Sequence, residues 1–158
     1  MSEEKELRIS KINDGIVIDH INPGTALDVL AVLKINGKED LTVSVLMNVA
    51  SKLKLSKDII KVEKRKLAKK ELDRISLISP NATINVVENY GIKDKFTVKL
   101  PKEVKGIIKC KNENCVTNTK EPVESYFKLE KEMGKEKYRC HYCERTMEMN
   151  EIRESLVR

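Results

Sequence analysis

Tryptophan is absent from the 158 residues, aromatic side chains make up only 4% of them, and no cysteine occurs before position 110. Any core must therefore be built from Ile, Leu and Val. No stretch approaches the roughly 18 apolar residues of a membrane-spanning helix. The N-terminal "MSEEKELRIS" is acidic and has no apolar signal core, so the chain is expected to be soluble and cytoplasmic. With six glycines there is neither a G-x-G-x-x-G nor a Walker A pattern, which removes the common dinucleotide and P-loop hydrolase classes. His20 and His141 are the only histidines. No Ser-His-Asp, H-E-x-x-H or paired-acid arrangement stands out, and the H-x-E of zinc deaminases is missing, so the chain reads as a non-enzyme.

Charge is plentiful. Charged residues are 35% of the chain with both signs interspersed, a pattern compatible with folding because apolar periodicity survives beneath it. The net +6 is unevenly shared: residues 1–100 hold 18 Lys+Arg against 14 Asp+Glu, and residues 101–158 hold 13 against 11. Four thiolates around one divalent cation would neutralise the second part, leaving the basic excess with the first. The length suits one medium domain or two small ones, and "PKEVKG" (101–106) breaks the pattern, giving units of 1–100 and 101–158.

The first unit alternates strand and helix signals. A polar arm leads to a first pairing segment at Leu7 to Ile12, and "GIVIDHI" (15–21) is β-branched and strand-like. After the Asn22-Pro23-Gly24 turn, Thr25 and Asp28 have capping-box spacing. Ala26, Val29, Leu30 and Leu33 then mark an amphipathic helix ended by Asn36-Gly37. "LTVSVLMNV" (41–49) and "KDIIKVEK" (57–64) read as strands, the latter with Ile60 and Val62 on one face and Ile59, Lys61 and Glu63 on the other. "KLAKKELDRISLIS" is a helix stopped by Pro80, with Ala68, Leu72, Ile75 and either Ser79 or Ile78 along one side. "ATINVVENYG" and "KFTVKL" complete a βαββαβ order plus one strand, which predicts a ferredoxin-like α+β domain with helices on one face of an antiparallel sheet. The second unit is expected to be small, mainly β and zinc-ribbon-like.

Its signal is cysteine spacing: Cys110-x4-Cys115, an interval of 24 residues, then Cys140-x2-Cys143. Two closely spaced pairs brought together by hairpins supply the tetrahedral sulfur set that Zn²⁺ takes. Four cysteines leave no position for water or substrate, so the site is read as structural, with His141 as a substitute ligand the weaker reading. Some fifty residues bury little core alone, and metal binding should supply their folding free energy.

Within the first unit Asp19 and His20 stand side by side at the end of a strand. A carboxylate capping the turn beside a surface imidazole would be an ordinary arrangement. Companions suggest more. Lys57, Lys61, Asn85, Tyr90, Lys93 and Lys95 lie at or near other strand ends, where one sheet could gather them. Ammonium groups and His⁺ bind phosphate oxygens, and a carboxylate accepts from ribose hydroxyls.

"GIVIDHI", "LSKDIIKVE", "ISPNATINVVENY" and "CKNENCVTN...EPVESYF...YRCHYCE", in this order and nearly end to end, resemble the regulatory-chain family of aspartate carbamoyltransferase. The resemblance implies an N-terminal allosteric domain (1–100) that binds CTP as inhibitor and ATP as activator. It implies a C-terminal zinc domain (101–158) that docks on the catalytic chain, within an assembly of regulatory dimers and catalytic trimers acting in pyrimidine biosynthesis. On that reading Asp19 and Lys61 hold the ribose region, and His20 and Lys95 the phosphates with Asn85 nearby. Tyr90, Ile92 and the backbone of Lys11 and Ile12 hold the base. UTP with Mg²⁺ is left open as a further effector. Cys110, Cys115, Cys140 and Cys143 match the zinc ligands, and Asn112, Asn114, Glu144 and Arg145 the contact with the catalytic chain. Lys111 departs from the family's proline, and the tail "NEIRESLVR" is longer and more charged. Two rivals stand beside this reading: a structural adaptor without nucleotide coupling, and an RNA-binding zinc-ribbon protein drawing on "KVEKRKLAKK" and the scarce aromatics.

Overall fold

A computed structural model describes residues 12–52, 56–120 and 123–157. The proposed pairing segment at Leu7 to Ile12 falls outside them except for Ile12, whose side chain is buried.

The N-terminal half runs β1 (Gly15–Ile21), α1 (Ala26–Val32), β2 (Val43–Ala50), β3 (Ser56–Glu63), α2 (Lys69–Ile78), β4 (Thr83–Glu88) and β5 (Gly91–Thr97). The five strands form one antiparallel sheet in the order β2-β3-β1-β4-β5. The first four strands and two helices are the ferredoxin-like arrangement. β5 extends the sheet through a two-residue turn at Asn89-Tyr90, both in the left-handed region, as a type I′ hairpin turn requires. This strand starts at Gly91, four residues before the stretch "KFTVKL" that suggested it.

Period-2 alternation decides which face meets the helices. Ile16, Ile18, Ile60, Val62 and Ile84 are at most 1% exposed and pack with Ala26 and Val29 of α1 and Ile75 and Ile78 of α2. Gly15 is required where β1 meets β3, because a Cβ there would stand 2.2 Å from the Val62 carbonyl oxygen, and its φ of +146° is one that side chains resist.

Two helix boundaries differ from the sequence expectation. α1 ends at Val32, where Lys34 turns into the left-handed region, before Asn36-Gly37 is reached. Nor does Thr25 form a capping box: its hydroxyl donates to the Asn22 carbonyl. The cap comes from far away in sequence, from Asp58, whose Oδ2 accepts the N–H groups of Gly24 (2.9 Å) and Ala26 (3.0 Å). A local signal thus lost to a tertiary one.

The C-terminal half is a second sheet, β6-β7-β8-β9, with β6 (Glu103–Lys105), β7 (Tyr126–Glu132), β8 (Lys135–Cys140) and β9 (Thr146–Glu148), followed by α3 (Met149–Val157). The "PKEVKG" stretch therefore contributes the first strand of this sheet. Phe127, Tyr138, Met147 and Ile152 form its core together with Leu77 of α2. α2 is buried on two sides for this reason, with Ile75 and Ile78 in the first core and Leu77 in the second. Leu77→Ala should cost about 2–5 kcal/mol, read as an earlier urea transition of the second sheet by tyrosine fluorescence. An unchanged transition would show that the second core is self-sufficient.

Candidate functional site

On the sheet face away from the helices, a cavity of about 290 Å³ is lined by Val17, Asp19, His20, Lys61, Thr83, Asn85, Val87, Ile92 and Lys95. Register explains the gathering. Lys61 pairs with Val17, Val17 with Asn85, and Asn85 with Lys95, so one row crosses β3, β1, β4 and β5 on a single face.

Strict alternation would send Asp19 and His20 to opposite faces. It is broken by a β-bulge: Ile18 pairs with Ile60 and Ile21 with Asp58, leaving Asp19 and His20 together opposite Ile59. His20 has a φ of 55°, and its Nδ1 lies 3.1 Å from Thr83 Oγ1. A second bulge does the same on β5. Val86 pairs with Asp94 and Val87 with Ile92, so Lys93 is the extra residue, and Ile92 and Lys95 both line the cavity although three positions apart.

Asp19 does not cap the turn. Its Oδ1 accepts the His20 N–H (2.6 Å) and forms an ion pair with Lys57 Nζ at 2.9 Å. Of the other residues singled out, Tyr90 stands 65% exposed at the hairpin tip and outside the cavity lining, its N–H donating to the Asn13 carbonyl beside Ile12. Lys93 pairs with Glu88, and Lys11 lies outside the described residues. Sequence reasoning passed over Val17, Thr83 and Val87, which share strand parity with Asn85 and Lys61.

The second site is the cysteine cluster. Four sulfurs around Zn²⁺ at about 2.3 Å would stand roughly 3.8 Å apart. Here Cys110 and Cys143 Sγ are 3.6 Å apart, Cys115 and Cys140 Sγ 3.7 Å, and all four lie within 4.8 Å of one another. These distances are far from a disulfide's roughly 2.05 Å, and the cluster is able to bind a metal ion. Burial pushes the Cys110 thiol up to about 12. Cys143, despite its burial, is drawn down to about 7 by hydrogen bonds from the Arg145 backbone and the Asn112 side chain, with smaller contributions from neighbouring thiols. Thr117 Oγ1 donates to Cys115 Sγ at 3.3 Å, and the Asn118 amide ties the Cys110 and Asn112 carbonyls together at 2.8 Å each. Such outer bonds fix the loops that carry the sulfurs.

His141 is not among the clustered groups; its ring stacks on Tyr126 at 4.9 Å and edges Tyr142 at 5.1 Å. Asn114, Glu144 and Arg145 are exposed on the loops around the cluster, with Asn112 half-buried; Arg139 donates to the Glu144 carbonyl and Cys140 to that of Arg145. Of the aromatics an RNA-binding surface would need, Phe127 and Tyr138 are fully buried. No helix among the described residues is long and apolar enough to cross a membrane.

Profile comparison matches residues 7–99 to the allosteric domain, and residues 102–153 to the metal binding domain, of the aspartate carbamoyltransferase regulatory chain. The chain belongs to the aspartate carbamoyltransferase regulatory-chain family. Regulatory chains similar to it include that of Thermoplasma volcanium, 53% identical over 150 residues that cover 95% of this chain and 98% of the relative. That of Archaeoglobus fulgidus is 49% identical over 91% and 95% of the two chains. That of Thermofilum pendens is 46% identical over 98% and 97%. The chain is thus a non-catalytic regulatory subunit, and its two family domains each contain one of the sites described above.

Proposed function

We propose that the outer-face cavity binds nucleotides, CTP and ATP among them, and so controls aspartate carbamoyltransferase in the cytoplasm. The observation that carries this reading is that Asp19, His20, Lys61, Asn85, Ile92 and Lys95, drawn from three separated stretches, line one cavity. Lys61, Lys95 and His20 offer donors to phosphate oxygens, Asp19 an acceptor for ribose hydroxyls, and Val17, Val87 and Ile92 apolar surface for a base. Tyr90, Ile12 and Lys11 would close the base end. Residues 1–100 then form the allosteric domain and residues 101–158 the zinc domain. In the latter Cys110, Cys115, Cys140 and Cys143 hold one structural Zn²⁺, and Asn112, Asn114, Glu144 and Arg145 contact the catalytic chain. Regulatory chains would pair as dimers in the larger assembly.

Regulation here is linkage. A nucleotide that binds one quaternary state better shifts the assembly by its differential affinity, typically about 1–3 kcal/mol, and two nucleotides with opposite preferences can compete at one site. Calorimetric titration of the zinc-loaded chain with CTP and with ATP at physiological salt should give saturable one-site binding for each, with CTP displaced by ATP. Absence of binding would remove the nucleotide reading and leave the adaptor role.

A further inference from the structure

Asp58 is a carboxylate with no exposed surface, on the helix side of the sheet and outside the cavity lining. It accepts three backbone N–H groups: Gly24 at 2.9 Å and Ala26 at 3.0 Å on Oδ2, and Asn48 at 2.8 Å on Oδ1. These donors belong to two irregular places on either side of β3. Gly24 and Ala26 lie in the turn and at the helix start that follow β1, whose last residue, Ile21, comes just after the bulge and pairs with Asp58 itself. Asn48 lies in a third bulge, on β2, where Leu46 pairs with Ile59 and Val49 with Lys57, so Met47 and Asn48 share the place opposite Asp58. His20 and Asn48 both adopt left-handed φ, 55° and 58°, a conformation that persists in non-glycine residues only where the surroundings impose it. On the other face of the sheet the preceding residue, Lys57, grips Asp19. Two adjacent residues of β3 therefore hold the chain around the β1 bulge from opposite faces.

We propose that Asp58 is a positioning residue of the nucleotide pocket: without touching a ligand, it fixes the exit of the β1 bulge so that Asp19 and His20 face the cavity together. The assignment rests on the reading of that cavity as a nucleotide site. A carboxylate suits the role because it presents two acceptor oxygens and no donor, and three N–H groups converge on it. An amide of the same shape would aim its NH₂ at one or more of those N–H groups, leaving a buried donor without its acceptor. The bulge would then relax toward ordinary alternation, turning one of Asp19 and His20 away from the cavity.

The test is Asp58→Asn in the full zinc-loaded chain, titrated with CTP well below its thermal transition, alongside NMR of the His20 ring. CTP affinity is expected to fall about tenfold or more, as for a lost buried hydrogen bond to a charged group, with a displaced His20 ring signal before nucleotide is added and an unchanged zinc content. A lowered melting temperature with unaltered CTP affinity and an unmoved His20 signal would reduce Asp58 to a structural cap and overturn the assignment. Hydrogen exchange of the unaltered chain is a second measurement, independent of the variant's folding. Saturating CTP should slow exchange at Gly24, Ala26 and Asn48 beyond the change at Val62 in the same sheet; an equal change at all four overturns it as well. Failure of the unaltered chain to bind CTP or ATP would instead overturn the nucleotide reading, and this assignment with it.

Discussion

Chelation of the metal proposed for the four-cysteine cluster is expected to unfold the β6–β9 sheet while leaving the β1–β5 sheet folded. The second core contains Val104, Ile108, Phe127, Tyr138, Met147 and Ile152, with Leu77 lent by α2. So small a core supplies only a few kcal/mol beyond its conformational entropy, whereas structural Zn²⁺ in small domains contributes about 10–16 kcal/mol at neutral pH. Without a cation, nothing bonds the four sulfurs, three of them buried, to one another, and the loops that carry Asn112, Asn114, Glu144 and Arg145 lose their anchor. Metal analysis with far-ultraviolet circular dichroism before and after chelation would show loss of one zinc together with the second sheet's signal. Cys140→Ser should act similarly and abolish assembly with the catalytic chain. Normal assembly by a Cys140→Ser protein, or a second sheet that survives chelation, would overturn the metal's structural role.

Nucleotide affinity should fall roughly 10- to 100-fold in each of Lys61→Ala and Lys95→Ala, the scale expected for losing a charge-assisted hydrogen bond of about 1.5–3 kcal/mol. Lys61 on β3 and Lys95 on β5 reach the cavity from opposite sides of Asn85 and Val17, so the two losses should be nearly additive if the lysines contact different parts of the ligand. Both residues lie outside the cores, so stability should change by less than about 0.5 kcal/mol and zinc content not at all. Raising salt should weaken binding by the unaltered chain more than by either variant, because screening acts on a charge the variants have lost. Titration of each variant with CTP checks all of this; undiminished affinity in both would place the nucleotide elsewhere.

Much of the fold was legible because its signals are local. Alternating Ile and Val around 15–21 and 59–62, the Pro80 stop and the Asn22-Pro23-Gly24 turn each reflect backbone preferences that packing did not need to override. The cysteine spacing was legible for the same reason, since each pair sits on its own short loop. Failures occurred where distant chain decided the outcome. Thr25 carries a capping signal, yet Asp58, 30 or more residues away, took the donors at the start of α1. Asp58 could have been noticed: it shares parity with Ile60 and Val62, so alternation alone places a carboxylate on a core face, where it must find donors.

The sequence by itself determined the residue types at each site, the strand and helix order of the first unit, and family membership, because these depend on neighbours along the chain and on motif order; it did not show α3, which begins at Met149. Only the tertiary structure decided that Asp19 and His20 face the same way, that Ile92 and Lys95 share a cavity despite a spacing of three, and that Leu77 belongs to the second core. The physical reason is that a bulge is set by pairing across strands. One extra residue on one side of a ladder changes which face every later side chain meets, and no local preference records which partner strand will impose it.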